Sequence, residues 1–96
     1  MRTTVDPQIV AVGQHYWRYS LTGSDCPEIV FIKRVCLNQQ NEPYLVDGDV
    51  LNVHSGEQYY WSGLEMRMLA RLATEAELIP IRKRLFDRLA GFFLRG

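Results

Sequence analysis

His15, His54, Cys26 and Cys36 are the side chains of this sequence whose types best suit metal ligation or nucleophilic attack. A zinc site needs its ligands in short, paired spacings. These four residues match no finger or ribbon pattern, and the two cysteines form no C-x-x-C unit. A Cys-His nucleophile would need an imidazole within hydrogen-bond reach of one thiol, with an oxyanion donor nearby. Ordinary roles suit the four better. His54 precedes Ser55-Gly56 in a turn, His15 shares a strand face with large rings, and Cys36 lies in the apolar run "IVFIKRVCL" as a small hydrophobe. There is no glycine-rich phosphate loop, no H-E-x-x-H and no G-x-S-x-G. The expectation is a protein without catalytic residues, metal or cofactor.

Two aromatic strings stand out instead, "GQHYW" at Gly13 to Trp17 and "GEQYYW" at Gly56 to Trp61. Side chains alternate along an extended strand, so His15, Trp17 and Tyr19 fall on one face and Tyr16 and Arg18 on the other. In the second string Tyr59 and Trp61 share a face and Tyr60 takes the opposite one. A small core holds only part of this ring area, so each string is expected to bury one ring and leave its neighbours near the surface. Tyr16, Trp17, Tyr59, Tyr60 and Trp61 are therefore the candidate contacts for a partner protein. The plainer role is cross-strand packing with the tyrosine hydroxyls reaching water.

A third feature lies near the C-terminus. On a helical wheel Arg84, Arg88 and Arg95 fall within about 40°, a stripe that could follow phosphates or meet an acidic partner. As a plain solvated face it would complement the negative end of the helix dipole. Beside it Phe86, Phe93 and Leu94 widen the apolar arc beyond what one core needs. They are candidates for self-association as a two-fold dimer, or for cover by another part of the chain.

The elements that must position these residues follow from periodicity. "IVAVGQHYWRYSL", "EIVFIKRVCLN" and the pair "YLV" and "DVLNV" read as strands, with a type I′ hairpin turn expected at Asp47-Gly48. "EIVFIKRVCLN" is apolar on both faces in its first half, which predicts a central strand covered on two sides. From Ser62 the vocabulary changes to leucine, methionine, alanine, arginine and glutamate. A helix through "GLEMRMLARLA" is expected there, although Leu64, Met66 and Met68 also alternate as a strand would. Thr74 and Glu77 form a capping box, and the main helix is placed from Pro80 to Phe93, docking through Ile81, Leu85, Leu89, Phe92 and Phe93.

These readings give one α+β domain over residues 1–96, β-rich over 9–61 and helical over 62–96. Its expected shape is about five short, bent antiparallel strands in an SH3-like or partly open small barrel, followed by one or two C-terminal helices. An open antiparallel sheet with helices on one face is the alternative. Charges balance, with 11 basic and 11 acidic residues, so no global field draws the chain to nucleic acid or an anionic membrane. No run approaches the roughly 20 apolar residues of a membrane span, so a cytoplasmic protein is expected. The sequence reads as a non-enzymatic protein-binding module: an adaptor, a regulator or a small inhibitor of a larger protein. The alternative is a nucleic-acid-binding domain that uses the arginine stripe with aromatic stacking.

Overall fold

A computed structural model describes residues 5–20 and 22–84. Its strands are β1 (His15–Tyr19), β2 (Asp25–Leu37), β3 (Pro43–Asn52), β4 (Gln58–Glu65) and β5 (Leu69–Leu72), followed by the helix α1 (Glu75–Arg84). The first four run as an antiparallel meander. A 3₁₀ turn at Met66–Met68 then returns the chain so that β5 pairs with β1, giving the order β4-β3-β2-β1-β5. This is an α+β architecture: one open antiparallel sheet and one helix after it.

β2 occupies the centre of the order, as its two-sided apolar pattern requires. Val30 and Ile32 point to one face, where Tyr16, Val46, Val50 and Leu64 meet Val10, Met66, Met68 and Leu69. Ile29 points to the other face, where Leu51 and Val53 are covered by Ala73, Leu78 and Ile81. Two cores therefore share one sheet. The first forms where the sheet's own strands and the 3₁₀ turn fold over it, and the second forms beneath α1.

Several turns and boundaries differ from the sequence reading. Asp47 and Gly48 make no hairpin; they lie inside β3, where Gly48 pairs with Ile32 on one side and Trp61 on the other. Gly48 is needed for closeness rather than for a turn, because a Cβ there would lie 2.3 Å from the carbonyl oxygen of Phe31. The two hairpin turns that flank β3 are built on asparagine. Asn38 Oδ1 accepts from the N–H groups of Gln40 and Glu42, and Asn52 Oδ1 accepts from those of His54 and Ser55.

The change from strand to helix comes at Thr74, not Ser62. The segment expected to be helical from Ser62 to Ala73 is instead the end of β4, the 3₁₀ turn and β5. Its apolar residues are needed on the sheet: Leu64, Met66, Met68 and Leu69 all belong to the first core. The capping box does form, with Thr74 N–H donating to Glu77 Oε1 at 2.9 Å and Glu77 N–H to Thr74 Oγ1 at 3.2 Å. It starts the helix at Glu75, so Pro80 lies inside the helix rather than at its start. Ile81 is buried as the wheel predicts, while Leu85, Leu89, Phe92 and Phe93 lie outside the described residues.

A bulge shapes β4. Val46 pairs with Leu64 and Gly48 with Trp61, so Ser62 and Gly63 together stand opposite Asp47. The buried Asp47 carboxylate holds them by accepting from Gly63 N–H at 2.7 Å and Ser62 Oγ at 3.2 Å. Gly63 adopts φ 81°, a left-handed conformation that suits glycine. The two glycines should therefore fail differently. Gly63→Ala meets open space and should lose about 1–2 kcal/mol from backbone strain alone. Gly48→Ala must displace the backbone of β2 and should lose about 3 kcal/mol. Urea unfolding of both variants checks the order, and an equal or smaller loss at Gly48 would contradict the packing assigned to it.

Candidate functional site

His15, Tyr16 and Trp17 pair in regular register with Phe31, Val30 and Ile29, so they alternate between the faces of the sheet, and the register shifts only beyond Trp17, where the extra residues lie on β2. Tyr16, expected at a contact surface, is instead core. It is 1% exposed, and its hydroxyl donates to Gln14 Oε1 at 3.0 Å, which gives the buried phenol a partner. His15 lies on the opposite face, stacked on Phe31 with ring centroids 4.8 Å apart. Burial, and then the positive charge of Arg82 on α1, bring its pKa down to about 4, against the opposing pull of Glu75. Trp17, half-buried, packs against the second core.

Beyond Trp17, where the register of β1 shifts against both β2 and β5, lies a cleft of about 840 Å³, a size typical of ligand sites. Trp17, Arg18 and Tyr19 line it from β1, and Cys26 and Pro27 from β2. Ala70 and Arg71 line it from β5, His54 from the β3–β4 turn and Glu77 from α1. Arg71 joins two of these walls. Its guanidinium lies 5.7 Å from the Trp17 ring centroid and forms a two-pronged bond to Glu77, at 2.8 and 2.6 Å. The Arg71 hydrogen bonds, followed by the Thr74 backbone N–H, hold the Glu77 carboxyl far below the usual carboxylate range. One carboxylate thus caps the helix and fixes a wall of the cleft.

The opposite wall rests on a buried ion pair. Arg18 Nε and Nη2 both reach Glu28 Oε1, at 2.7 and 2.6 Å, and Nη1 donates to the Tyr19 carbonyl at 2.7 Å. Tyr59 donates its hydroxyl to the same Glu28 oxygen at 2.9 Å, and the Trp61 ring covers the guanidinium at 5.0 Å. Burial works against the Arg18 charge, but the Glu28 bond and charge outweigh it and raise the Arg18 pKa. Burial pushes the Cys26 thiol up, against the pull of Arg18, and Glu28 adds to the rise. Cys26 and His54 do reach the same cleft, yet this environment lowers the thiolate fraction that nucleophilic attack needs. Among the described residues no group of His, Cys, Asp and Glu has the arrangement to hold a metal ion.

The five candidate contact rings are thus divided. Tyr16 is buried, Trp17 lines the cleft, and Tyr59 and Trp61 lie 6.3 Å apart beside Arg18. Tyr60, 57% exposed, projects from the other face of β4. Of the arginine stripe only Arg84 is described, and its guanidinium donates to the Val53 carbonyl. Arg88 and Arg95 lie outside the described residues, as do Phe86, Phe93 and Leu94. Sequence reading missed Arg18, Tyr19, Pro27, Ala70, Arg71 and Glu77 as site residues. Arg71 and Glu77, six positions apart across the strand-to-helix junction, carried the one signal available, an opposite-charge pair beside a capping box.

Comparison with protein-family models, with curated proteins and with solved structures finds no match.

Two measurements test the electrostatics. The folded state holds the His15 pKa below its ordinary value of 6.5, at about 4. The unfolded chain therefore takes up the proton first, and stability should fall as pH drops through that window. Thermal melts between pH 7 and pH 4 should show a smaller decline for His15→Gln than for the parent protein, and parallel curves would refute the assignment. Glu28→Ala leaves the Arg18 charge buried and unpaired, and should cost about 3–5 kcal/mol. Removing both charges, as Arg18→Met with Glu28→Leu, should cost clearly less in the same urea assay.

Proposed function

We propose that the chain is a protein-binding module, an adaptor, regulator or small inhibitor, whose contact site is the cleft walled by Trp17, Tyr19, Arg71 and Glu77. The observation that carries this reading is an open cleft with an aromatic floor whose charged walls are already tied to one another. Fixed walls lose little side-chain entropy when a partner docks, and tryptophan, tyrosine and arginine are the residues that dominate binding at interfaces. Tyr59 and Trp61 extend the aromatic surface through Arg18, and Tyr60 offers a further exposed ring.

The meander, the 3₁₀ turn and the return of β5 to β1 support a partly open SH3-like barrel as the frame, with the cleft at one end of β1. No helix among the described residues is long and apolar enough to cross a membrane, which is compatible with a cytoplasmic site of action. The nucleic-acid alternative has less support, because Arg84 is committed to the Val53 carbonyl.

Selection of displayed random peptides on the immobilised chain tests the reading. Binders should lose at least about tenfold in affinity to Ala70→Arg, which fills the cleft, and none to Tyr44→Ala on the far hairpin. Circular dichroism confirms that both variants fold. Binders indifferent to Ala70→Arg would place the contact site elsewhere.

A further inference from the structure

Resting on that reading of the cleft, we propose that the partner anchors itself there with a tyrosine side chain whose hydroxyl bonds to His54. Most polar groups of the lining are already committed. Arg18 is held by Glu28 and the Tyr19 carbonyl, and Arg71 is held by Glu77. The Cys26 thiol donates to Glu28 Oε1 at 3.7 Å, the Trp17 indole nitrogen is shut off from solvent, and both Glu77 oxygens accept from Arg71. A charged ligand group would lose water on entering and find the guanidiniums and the carboxylate of the lining already matched. An uncharged group avoids that cost.

His54 differs from these groups. It is exposed, it lines the cleft from the β3–β4 turn, and its imidazole has no partner among the described residues. The turn holds His54 by its backbone N–H, which donates to Asn52 Oδ1 at 2.9 Å, so the ring itself is not needed there. An imidazole nitrogen donates or accepts according to where the proton sits, and a phenol hydroxyl can answer either. An indole N–H only donates, and a phenyl ring does neither. The rest of a tyrosine side chain also suits the cleft, because Trp17 and Tyr19, with Pro27 and Ala70, offer apolar area for an aromatic ring. With two side-chain torsions, tyrosine loses little freedom on docking.

The probe is N-acetyl-tyrosinamide, titrated to about 20 mM while the ring resonances of Trp17 and His54 are followed by NMR. Saturable shifts of both are expected, with N-acetyl-phenylalaninamide binding at least about threefold more weakly. His54→Ala should make the two amides equal, and Ala70→Arg should abolish the binding of both. Tyramine and para-hydroxyphenylacetate, which carry a positive and a negative charge, should each bind at least about threefold more weakly than N-acetyl-tyrosinamide. Absence of saturation, equal binding of the two amides to the parent chain, a tyrosine preference that survives His54→Ala, or a charged compound that binds as well overturns the proposal. Displayed peptides that need an open cleft yet carry no tyrosine would overturn it too, while leaving the protein-binding reading intact. Binders indifferent to Ala70→Arg would remove both.

Discussion

Ile29 and Val30 are neighbours in β2, point in opposite directions and are both fully buried. That is possible only if the sheet is covered on both faces, and the rest of the architecture follows from meeting this requirement in a short chain. One face is closed by the sheet itself, through the 3₁₀ turn at Met66–Met68 and the return of β5 to β1. The other is closed by α1, whose first turns bring Leu78 and Ile81 onto Leu51 and Val53. Each fully buried aliphatic side chain is worth about 1.5–3 kcal/mol, so neither cover could be lost without a large part of the net stability.

The cleft lies where these two covers meet. β1 gives Tyr16 to the first core and packs Trp17 against the second, and beyond Trp17 its register shifts against both β2 and β5. Two charged pairs stabilise this junction by different means. The Arg18–Glu28 pair is nearly withdrawn from water, so it depends on close geometry and on the Tyr59 hydroxyl to offset its desolvation. The Arg71–Glu77 pair is more exposed and gains from its two-pronged geometry and from the helix N-terminus that Glu77 caps.

An open sheet leaves two edges, and each is guarded. β5 is only four residues long and carries Arg71. β4 is longer, but its bulge at Ser62 and Gly63 breaks the regular row of backbone donors and acceptors that another strand would need. The bulge also brings Trp61 and Leu64 to the same face despite their odd spacing, so both rest on the first core. The device that guards the edge therefore also sets which aromatic ring lies over Arg18.

Local and periodic features were legible in the sequence. The two-sided apolar pattern of "EIVFIKRVCLN" required a central strand, and Thr74 with Glu77 specified a helix start, because both signals act over a few residues. The balanced charge and the missing catalytic motifs were equally plain. Tertiary structure decided whatever depended on a distant partner. Gly48 was read as a turn residue because Asp-Gly favours one locally, whereas the backbone of β2 at Phe31 requires a residue without a side chain there. Leu64 to Leu72 has helix-forming residues, yet the need to cover the first core and to pair with β1 outweighs a propensity of at most about 0.7 kcal/mol per residue. The cleft was legible least of all. Its lining comes from β1, β2, β5, a turn and a helix, and only the register among them, set by burial on both sides of β2, brings Trp17, Arg71 and Glu77 together.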